Sequence, residues 1–553
     1  MTTKKKRNII IISCVSIIFL TIVGFVRNDF EIAKNLDIYS SLLRQLDEHY
    51  VDEINVNDLV KTSIDGMLDK LDPYTVYYPE SDLEEFKLMT TGQYGGIGST
   101  IQQDSNYVIF SEPYEGSPAY SAGIQPGDKI ISIEGKSMKG ASVSDVSNLL
   151  KGQPGTKVKI TIQPYGSNKT ISKEIVREEI KFPNISYSGM IDNQIGYVKL
   201  DQFTENAAND VKTAFTQLKN NGMKKFVLDL RDNGGGLLNE AIDIVNLFID
   251  KGNIIVTTKG KNPKQTQTFA TSKTTLDNQI PIVVLVNRNS ASASEIVSGS
   301  LQDFDRAVLI GERTFGKGLV QNILPLSYNT RVKVTVSKYY IPSGRCIQGI
   351  DYSDKDENGI SKHKADSSAT AFKTKNGRTV YDYGGVEPDI NVEIEPYSTV
   401  LLAMFAQQII FNYANEYKLK HHSIAPAKEF RITDEIYQDF TKFVKTKNLA
   451  YETFTEKQIK NLKTSVENDK FSDKINKQIS NLEQSVKEEK ANDLVRYRKE
   501  ISQLLQMEIV ERYYAQKGRI ENSLSIDPDL NKAIEILNND KTYHSILKGT
   551  YNK

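Results

Sequence analysis

Phe226-Val227-Leu228-Asp229-Leu230 is a short apolar run, Arg231-Asp232-Asn233-Gly234-Gly235-Gly236 breaks it, and Leu237-Leu238 opens a helical run through Phe248. A strand followed at once by a helix is the unit of an α/β sheet. The pattern returns at Pro281-Ile282-Val283-Val284-Leu285-Val286, followed by Asn287-Arg288-Asn289-Ser290-Ala291-Ser292-Ala293-Ser294-Glu295-Ile296 and the helical Val297 and Leu301. Strands and helices alternate in this way over 182–400, so an α/β core is expected there. Three glycines between strand and helix permit unusual backbone angles and turn N–H groups outward, where they can hold a phosphate or an oxyanion. A glycine cluster also serves as a plain tight connection. The serine-rich junction places a hydroxyl and the following N–H groups at a helix N-terminus, where developing negative charge is favoured. Serine is equally a structural N-cap, and for most of these serines the cap is the better reading.

Upstream, over 92–178, the text changes to short strands separated by Gly and Pro turns. Gly95-Gly96-Ile97-Gly98 opens it, and Gly116-Ser117-Pro118-Ala119 and Ala122-Gly123-Ile124-Gln125-Pro126-Gly127-Asp128 follow. The first cluster lets successive N–H groups, at Gly96, Ile97 and Gly98, converge on a chain-terminal carboxylate, and the strand after it offers an edge to which a peptide can add. The block resembles a PDZ domain; the alternative is a glycine-rich β-domain without a ligand. Before it, 31–91 reads as helices, with Leu36, Tyr39, Leu42, Leu43 and Leu46 at helical spacing. The polar stretch 351–380 reads as a surface excursion. Beyond 401, Lys, Glu, Asn and Gln surround spaced Ile, Leu and Tyr to the end at 553, which predicts a helical, strongly solvated region.

The 553 residues suffice for roughly three or four domains. Lys+Arg and Asp+Glu total 70 each, so there is no whole-chain basic signal for nucleic acid. With 39% apolar and 25% charged residues the composition is globular. One of two cysteines, Cys14, sits in an N-terminal apolar run, which excludes an intrachain disulfide framework. Five histidines form no ligand pattern, so neither a metal nor another cofactor is expected. Lys4-Lys5-Lys6-Arg7 precedes Ile9 to Val26, an uncharged run ended by Arg27. As a helix it is about 27 Å long, enough to cross a hydrocarbon core. Residues 1–7 therefore read as a cytoplasmic basic flank and 8–26 as an uncleaved transmembrane signal-anchor. A cleaved signal peptide is the rival, but no small-x-small site precedes Arg27. The expected location is the inner (cytoplasmic) membrane, single-pass, with the body in the periplasm or extracytoplasmic space.

Gly311-Glu312-Arg313-Thr314-Phe315-Gly316-Lys317-Gly318 nearly spells a P-loop. Gly318 stands where Ser or Thr would hold magnesium, and Leu319 to Pro325 reads as a strand instead of the required helix, so the nucleotide reading fails twice. On a strand, Lys317 and Gln321 would project from one face because their separation is even. None of the histidines lies beside these motifs. A lysine left neutral by burial can serve as a general base, which makes a Ser-Lys pair the economical hypothesis.

Together the residues resemble the carboxyl-terminal processing peptidases, tail-specific serine proteases with an embedded PDZ domain. The resemblance runs from about 35 to 395 and includes Leu71-Asp72-Pro73-Tyr74-Thr75, the PDZ block, the triple-glycine turn, Ser290 to Glu295, and Gly316-Lys317-Gly318 with Gln321. It implies a peptidase core of crotonase-like layered βα units, with the PDZ domain inserted, an N-terminal helical segment before it and an α-helical region after it. It also implies Ser292 as nucleophile, Lys317 as base and Gln321 as the residue that positions the lysine. An oxyanion hole is implied from the Ala293 N–H and either Gly235 or Gly236. Gly234 departs from the family, where many members carry Pro. The expected reaction is endoproteolysis near substrate C-termini, with the PDZ domain docking the chain end. The rivals are a membrane-anchored PDZ scaffold with an inactive peptidase half, and a small-molecule esterase or amidase. The region after 400 is not covered by the resemblance. Its stripe of Ile501, Leu504, Leu505, Ile509 and Tyr513 packs either within the chain or against a second copy or adaptor, and removal of 405–553 is expected to leave Ser292 chemistry possible while lowering stability or changing the oligomeric state.

Overall fold

A computed structural model describes residues 30–80, 91–355, 361–364, 367, 369–393, 395–469 and 473–551. The expected anchor and its basic flank lie outside these residues, and among the described residues no helix is long and apolar enough to cross a membrane.

The centre is a six-stranded sheet in the order Ile185–Met190, Ile195–Leu200, Lys225–Asp229, Ile282–Val286, Val308–Gly311 and Ile390–Asn391. The first pair is antiparallel and the rest are parallel. Parallel strands need cover on both faces, which is why Ile282 to Val286 is an unbroken apolar run, buried throughout. Side chains alternate between the two covers. Phe226, Leu228, Ile282, Val284 and Val286 pack into the core that contains the helices Ala207–Asn220, Leu238–Asn246 and Ala293–Asp303. Val227, Val283, Leu285, Val308 and Ile310 instead meet Leu530, Ile536, Leu537, Tyr543 and Ile546 from the last two helices, Pro528–Leu537 and Asp540–Leu547. The end of the chain is therefore a layer of the α/β core. The rest of the helical region has its own core, where Ile501, Leu505 and Ile509 pack against Val400, Leu401, Met404, Tyr413 and Phe440. The stripe read from the sequence is thus satisfied within the chain.

A second, antiparallel sheet runs Val76–Tyr78, Arg331–Tyr340, Ile254–Gly260, Gln267–Ala270, with Leu319–Pro325 also paired to Arg331–Tyr340. The segments after Asp72 and after Lys317 thus flank Arg331–Tyr340 on its two sides. The glycine-rich block is a six-stranded antiparallel sheet with Ser99–Asp104 at one edge, the helix Val143–Leu150 beside it and a separate core around Val108, Phe110, Ile130 and Ile160. Its two ends pair with one another, Gln93–Gly96 with Glu178–Lys181, as an insertion requires. The polar stretch forms two short hairpins.

One expectation changes at the N-terminus. The helix over 30–49 keeps Leu36 and Leu42 mostly exposed, at 62% and 53%, so its apolar stripe does not join the peptidase core. Contact with the second sheet begins further on, at Asp72 and Thr75, and Tyr78 is buried on it.

Candidate active site

Strand Ile282–Val286 delivers the chain to a tight junction whose serines divide by environment. Ser290 is buried, and its hydroxyl donates to the Leu230 carbonyl at 2.8 Å. Ser294 is buried too, donating to the Asn233 carbonyl at 2.8 Å, which also accepts the Ala291 N–H at 3.0 Å. These contacts tie the serine junction to the glycine turn and account for two serines structurally. Ser292 is partly accessible and stands just before the helix Ala293–Asp303 with φ 55° and ψ −110°. A positive φ at a non-glycine residue costs of order 1–3 kcal/mol and persists only where its surroundings impose it.

The glycine turn is pressed against Ser292. A Cβ on Gly235 would stand 2.8 Å from Ser292 Cβ and 2.9 Å from Ala293 N, and both Gly235 (φ 100°) and Gly236 (φ 149°) occupy the region open to glycine. Gly234 has open space around it and no positive φ, so nothing in the turn demands glycine there. The Gly235 N–H donates to Asn233 Oδ1 at 2.9 Å. Among the described residues the N–H groups of Gly236 and Ala293 have no hydrogen-bond partner.

Ser292 and Lys317 are joined through their backbones. The buried Glu295 carboxylate accepts the Ser292 N–H at 2.8 Å and the Lys317 N–H at 2.9 Å on one oxygen. Its other oxygen accepts the Gly316 N–H at 2.7 Å and the Thr314 hydroxyl at 2.6 Å. On the carbonyl side, the buried Tyr339 hydroxyl lies 2.5 Å from Lys317 O and 3.1 Å from Ser292 O. Burial pushes the Glu295 carboxyl up to about 7, against four donors that favour the carboxylate.

The Lys317 side chain does not meet Gln321. Its Nζ stands 4.1 Å from the centroid of the Tyr74 ring, and among the described residues no hydrogen bond joins it to Ser292 or Gln321. Lys317 precedes the strand Leu319–Pro325, and the register shifts between Val320 and Gln321, so the even-spacing argument for a shared face fails. Gln321 Nε2 instead donates to Thr335 Oγ1 at 3.2 Å, and Thr335 donates to Asp72 at 3.2 Å. Asp72 also accepts the N–H groups of Tyr74 and Thr75, at 2.8 and 2.9 Å, which folds the turn that presents the Tyr74 ring to the lysine. Burial lowers the Lys317 ammonium to about 8, helped by the charge of Lys333 and opposed by Glu295 and Asp72. Glu295, Tyr339, Asp72 and Tyr74 are parts of this group for which the sequence suggested no role. Asp72 and Tyr74 stand in Leu71-Asp72-Pro73-Tyr74-Thr75 and Glu295 in the serine-rich run, so charge and aromaticity at those positions were the available signal.

In the inserted domain the carbonyls of the glycine loop turn inward. Ile97 O accepts from Ala119 N–H at 2.8 Å, and Gly98 O from the Ser117 hydroxyl at 2.8 Å. Gly98 has φ 74°, and a Cβ there would collide with Ser117. Gly96 lies in the strand that pairs with Glu178, packed against the Tyr94 ring. Among the described residues no hydrogen bond links Gly96 to Gly98 with the Ser292 group.

A strained serine at a helix start, an adjoining glycine turn and a lysine of lowered pKa thus stand as one group. The pattern of Peptidase family S41 matches residues 194–355, that of a PDZ domain 109–164, and that of a probable PDZ-protease C-terminal helical domain 400–537. A carboxy-terminal-processing protease of Bartonella bacilliformis is 36% identical over 327 residues, 58% of this chain and 75% of that one. A probable CtpA-like serine protease of Staphylococcus aureus is 34% identical over 344 residues, 61% of this chain and 68% of that one. The chain belongs to this family of C-terminal processing serine proteases with a PDZ domain. Among solved structures it is similar to a photosystem II D1 C-terminal processing protease, at 28% identity and TM-score 0.35 over 64% of this chain and 92% of that one.

Proposed function

We propose that the chain is a membrane-anchored endopeptidase that cleaves proteins near their C-termini with Ser292 and Lys317 as a catalytic pair. The observation that carries this reading is the double staple, Glu295 on the two N–H groups and Tyr339 at the two carbonyls, which fixes the backbones of Ser292 and Lys317 to one another. Neutral Lys317 takes the Ser292 proton, Ser292 attacks the scissile carbonyl, and backbone N–H groups hold the oxyanion. Ala293 and Gly236 are the better donor pair, because the Gly235 N–H is already committed to Asn233. To act as base the lysine leaves the Tyr74 ring and turns to Ser292, and Gln321 then serves as its positioning partner. The loop at Gly96, Ile97 and Gly98 takes the substrate carboxylate, and upstream residues add to the edge strand Ser99–Asp104. Residues 8–26 anchor the body on the extracytoplasmic side of the inner membrane.

Cleavage of an unfolded protein such as casein by the full-length chain tests the reading. Turnover lost in Ser292→Ala and in Lys317→Ala, with folding intact in both, supports it. Turnover retained in either variant contradicts it.

A further inference from the structure

Arg231 opens the glycine turn, and its guanidinium reaches across to the far end of the chain. Nε and Nη2 hold the Asp229 carboxylate, with contacts of 3.0, 3.1 and 2.6 Å. On the other side Nη1 donates to Asp527 Oδ1 and Asp529 Oδ2 at 2.9 Å each, and Nη2 to Asp527 Oδ2 at 2.5 Å. Asp527 is the N-cap of the helix Pro528–Leu537, where it also accepts the Leu530 N–H at 3.1 Å. The Tyr197 hydroxyl donates to Asp229 at 2.6 Å. A planar fork held bidentately on one side and by two carboxylates on the other has a single orientation.

We propose that Asp527 and Asp529 are positioning residues for the peptidase reaction, acting through Arg231 on the turn that carries Gly235 and Gly236. The inference rests on the reading of Ser292 as nucleophile and of this turn as the oxyanion site. The turn has little slack. Its far end is fixed by the Leu237 N–H on Phe203 O at 2.7 Å, and Gly235 stands too close to Ser292 to admit a Cβ. A displacement at Arg231 therefore passes to the N–H groups beside Ser292, where alignment counts most. The ion group is also poorly arranged for stability alone. Three carboxylates share one arginine, and Asp529 Oδ1 is buried with no hydrogen-bond partner among the described residues. An incompletely satisfied buried network costs stability, and a positioning role explains why the geometry keeps it.

Asp527→Asn in the full-length chain separates positioning from mere stability, because Asn keeps the shape and the N-cap while removing the charge. Tyr543→Phe is the control. The Tyr543 hydroxyl accepts the Ile282 N–H at 2.9 Å, so it fastens the same tail to the same sheet away from the turn. Steady-state kinetics on a peptide substrate and Tm are measured for both, with Asp529→Asn as a second arm if Asp527→Asn does not accumulate. The proposal expects kcat to fall about ten-fold in the Asp variants with KM within about two-fold, and Tyr543→Phe to lower Tm while keeping kcat. Unchanged kcat in the Asp variants, or a fall that simply follows Tm in all of them, overturns it. Ser292→Ala is run alongside. Turnover remaining in that variant overturns the nucleophile and this inference with it, whereas an inactive Ser292→Ala beside a normal Asp527→Asn overturns the inference alone.

Discussion

Each oxygen of the Glu295 carboxylate accepts two hydrogen bonds, and three of the four donors are backbone N–H groups that cannot turn away. An amide in its place keeps one acceptor and aims an NH2 at two of those donors. Glu295→Gln is therefore expected to cost about 1–3 kcal/mol for each donor left unpaired. It should also lower turnover more than ten-fold, by roughly the measure expected when a site is misaligned. Urea unfolding and peptide hydrolysis check both, and wild-type values in either would remove Glu295 from the frame of the site. Ser292 and Lys317 were legible because their neighbours in the chain form recognisable runs. Glu295 was visible only as a charged residue in a first helical turn, which capping explains equally well. Tyr339 left no mark, since its partners Ser292 and Lys317 meet it only after two sheets have formed.

Among the elements, the strand Leu319–Pro325 shows where local rules stop. Parity along a strand assigns a face only while the register is unbroken, and here Lys317 lies before the strand and a shift intervenes at Val320 and Gln321. The edge strand Ser99–Asp104 is simpler. Within its sheet it pairs on one side only, and on the other side the Gln103 carbonyl accepts from Gln408 Nε2 at 2.7 Å, a contact that an added strand would displace. Amidating the C-terminus of a peptide substrate should lower kcat/KM, because charge-assisted hydrogen bonds to a carboxylate are roughly twice as strong as neutral ones. Equal kcat/KM for amidated and free-ended peptides would remove the loop from substrate choice. This domain was readable from its glycines because several sit where positive φ or close packing requires them, as at Gly98 against Ser117. The helix over 30–49 gave a clear apolar period, yet periodicity does not say which surface, if any, receives the stripe.

At the scale of the whole molecule, the last two helices close one face of the central sheet, so the tail is not an appendage. Leu530, Ile536, Leu537, Tyr543 and Ile546 are all nearly fully buried there. At about 1.5–3 kcal/mol for each such side chain, their removal takes away as much as the 5–15 kcal/mol that usually separates folded from unfolded. Truncation after residue 523 is thus expected to abolish folding of the peptidase, against the sequence-based expectation that Ser292 chemistry outlives the loss of 405–553. Circular dichroism and light scattering would show an unfolded or aggregated body, and a folded, active truncated chain would contradict this. The sequence could not show this layer because Val283 and Leu285 carry no sign of which helix covers them. The central claim, that Lys317 activates Ser292, is tested most directly by the rate at which a serine-reactive probe labels the full-length chain, followed by mass spectrometry across pH. Lys317 must lose its proton to act, and burial places that loss at about 8. Labelling on Ser292 is expected at a rate that climbs through this range and collapses in Lys317→Ala. Labelling of Lys317→Ala at the wild-type rate, or a rate independent of pH, would contradict it.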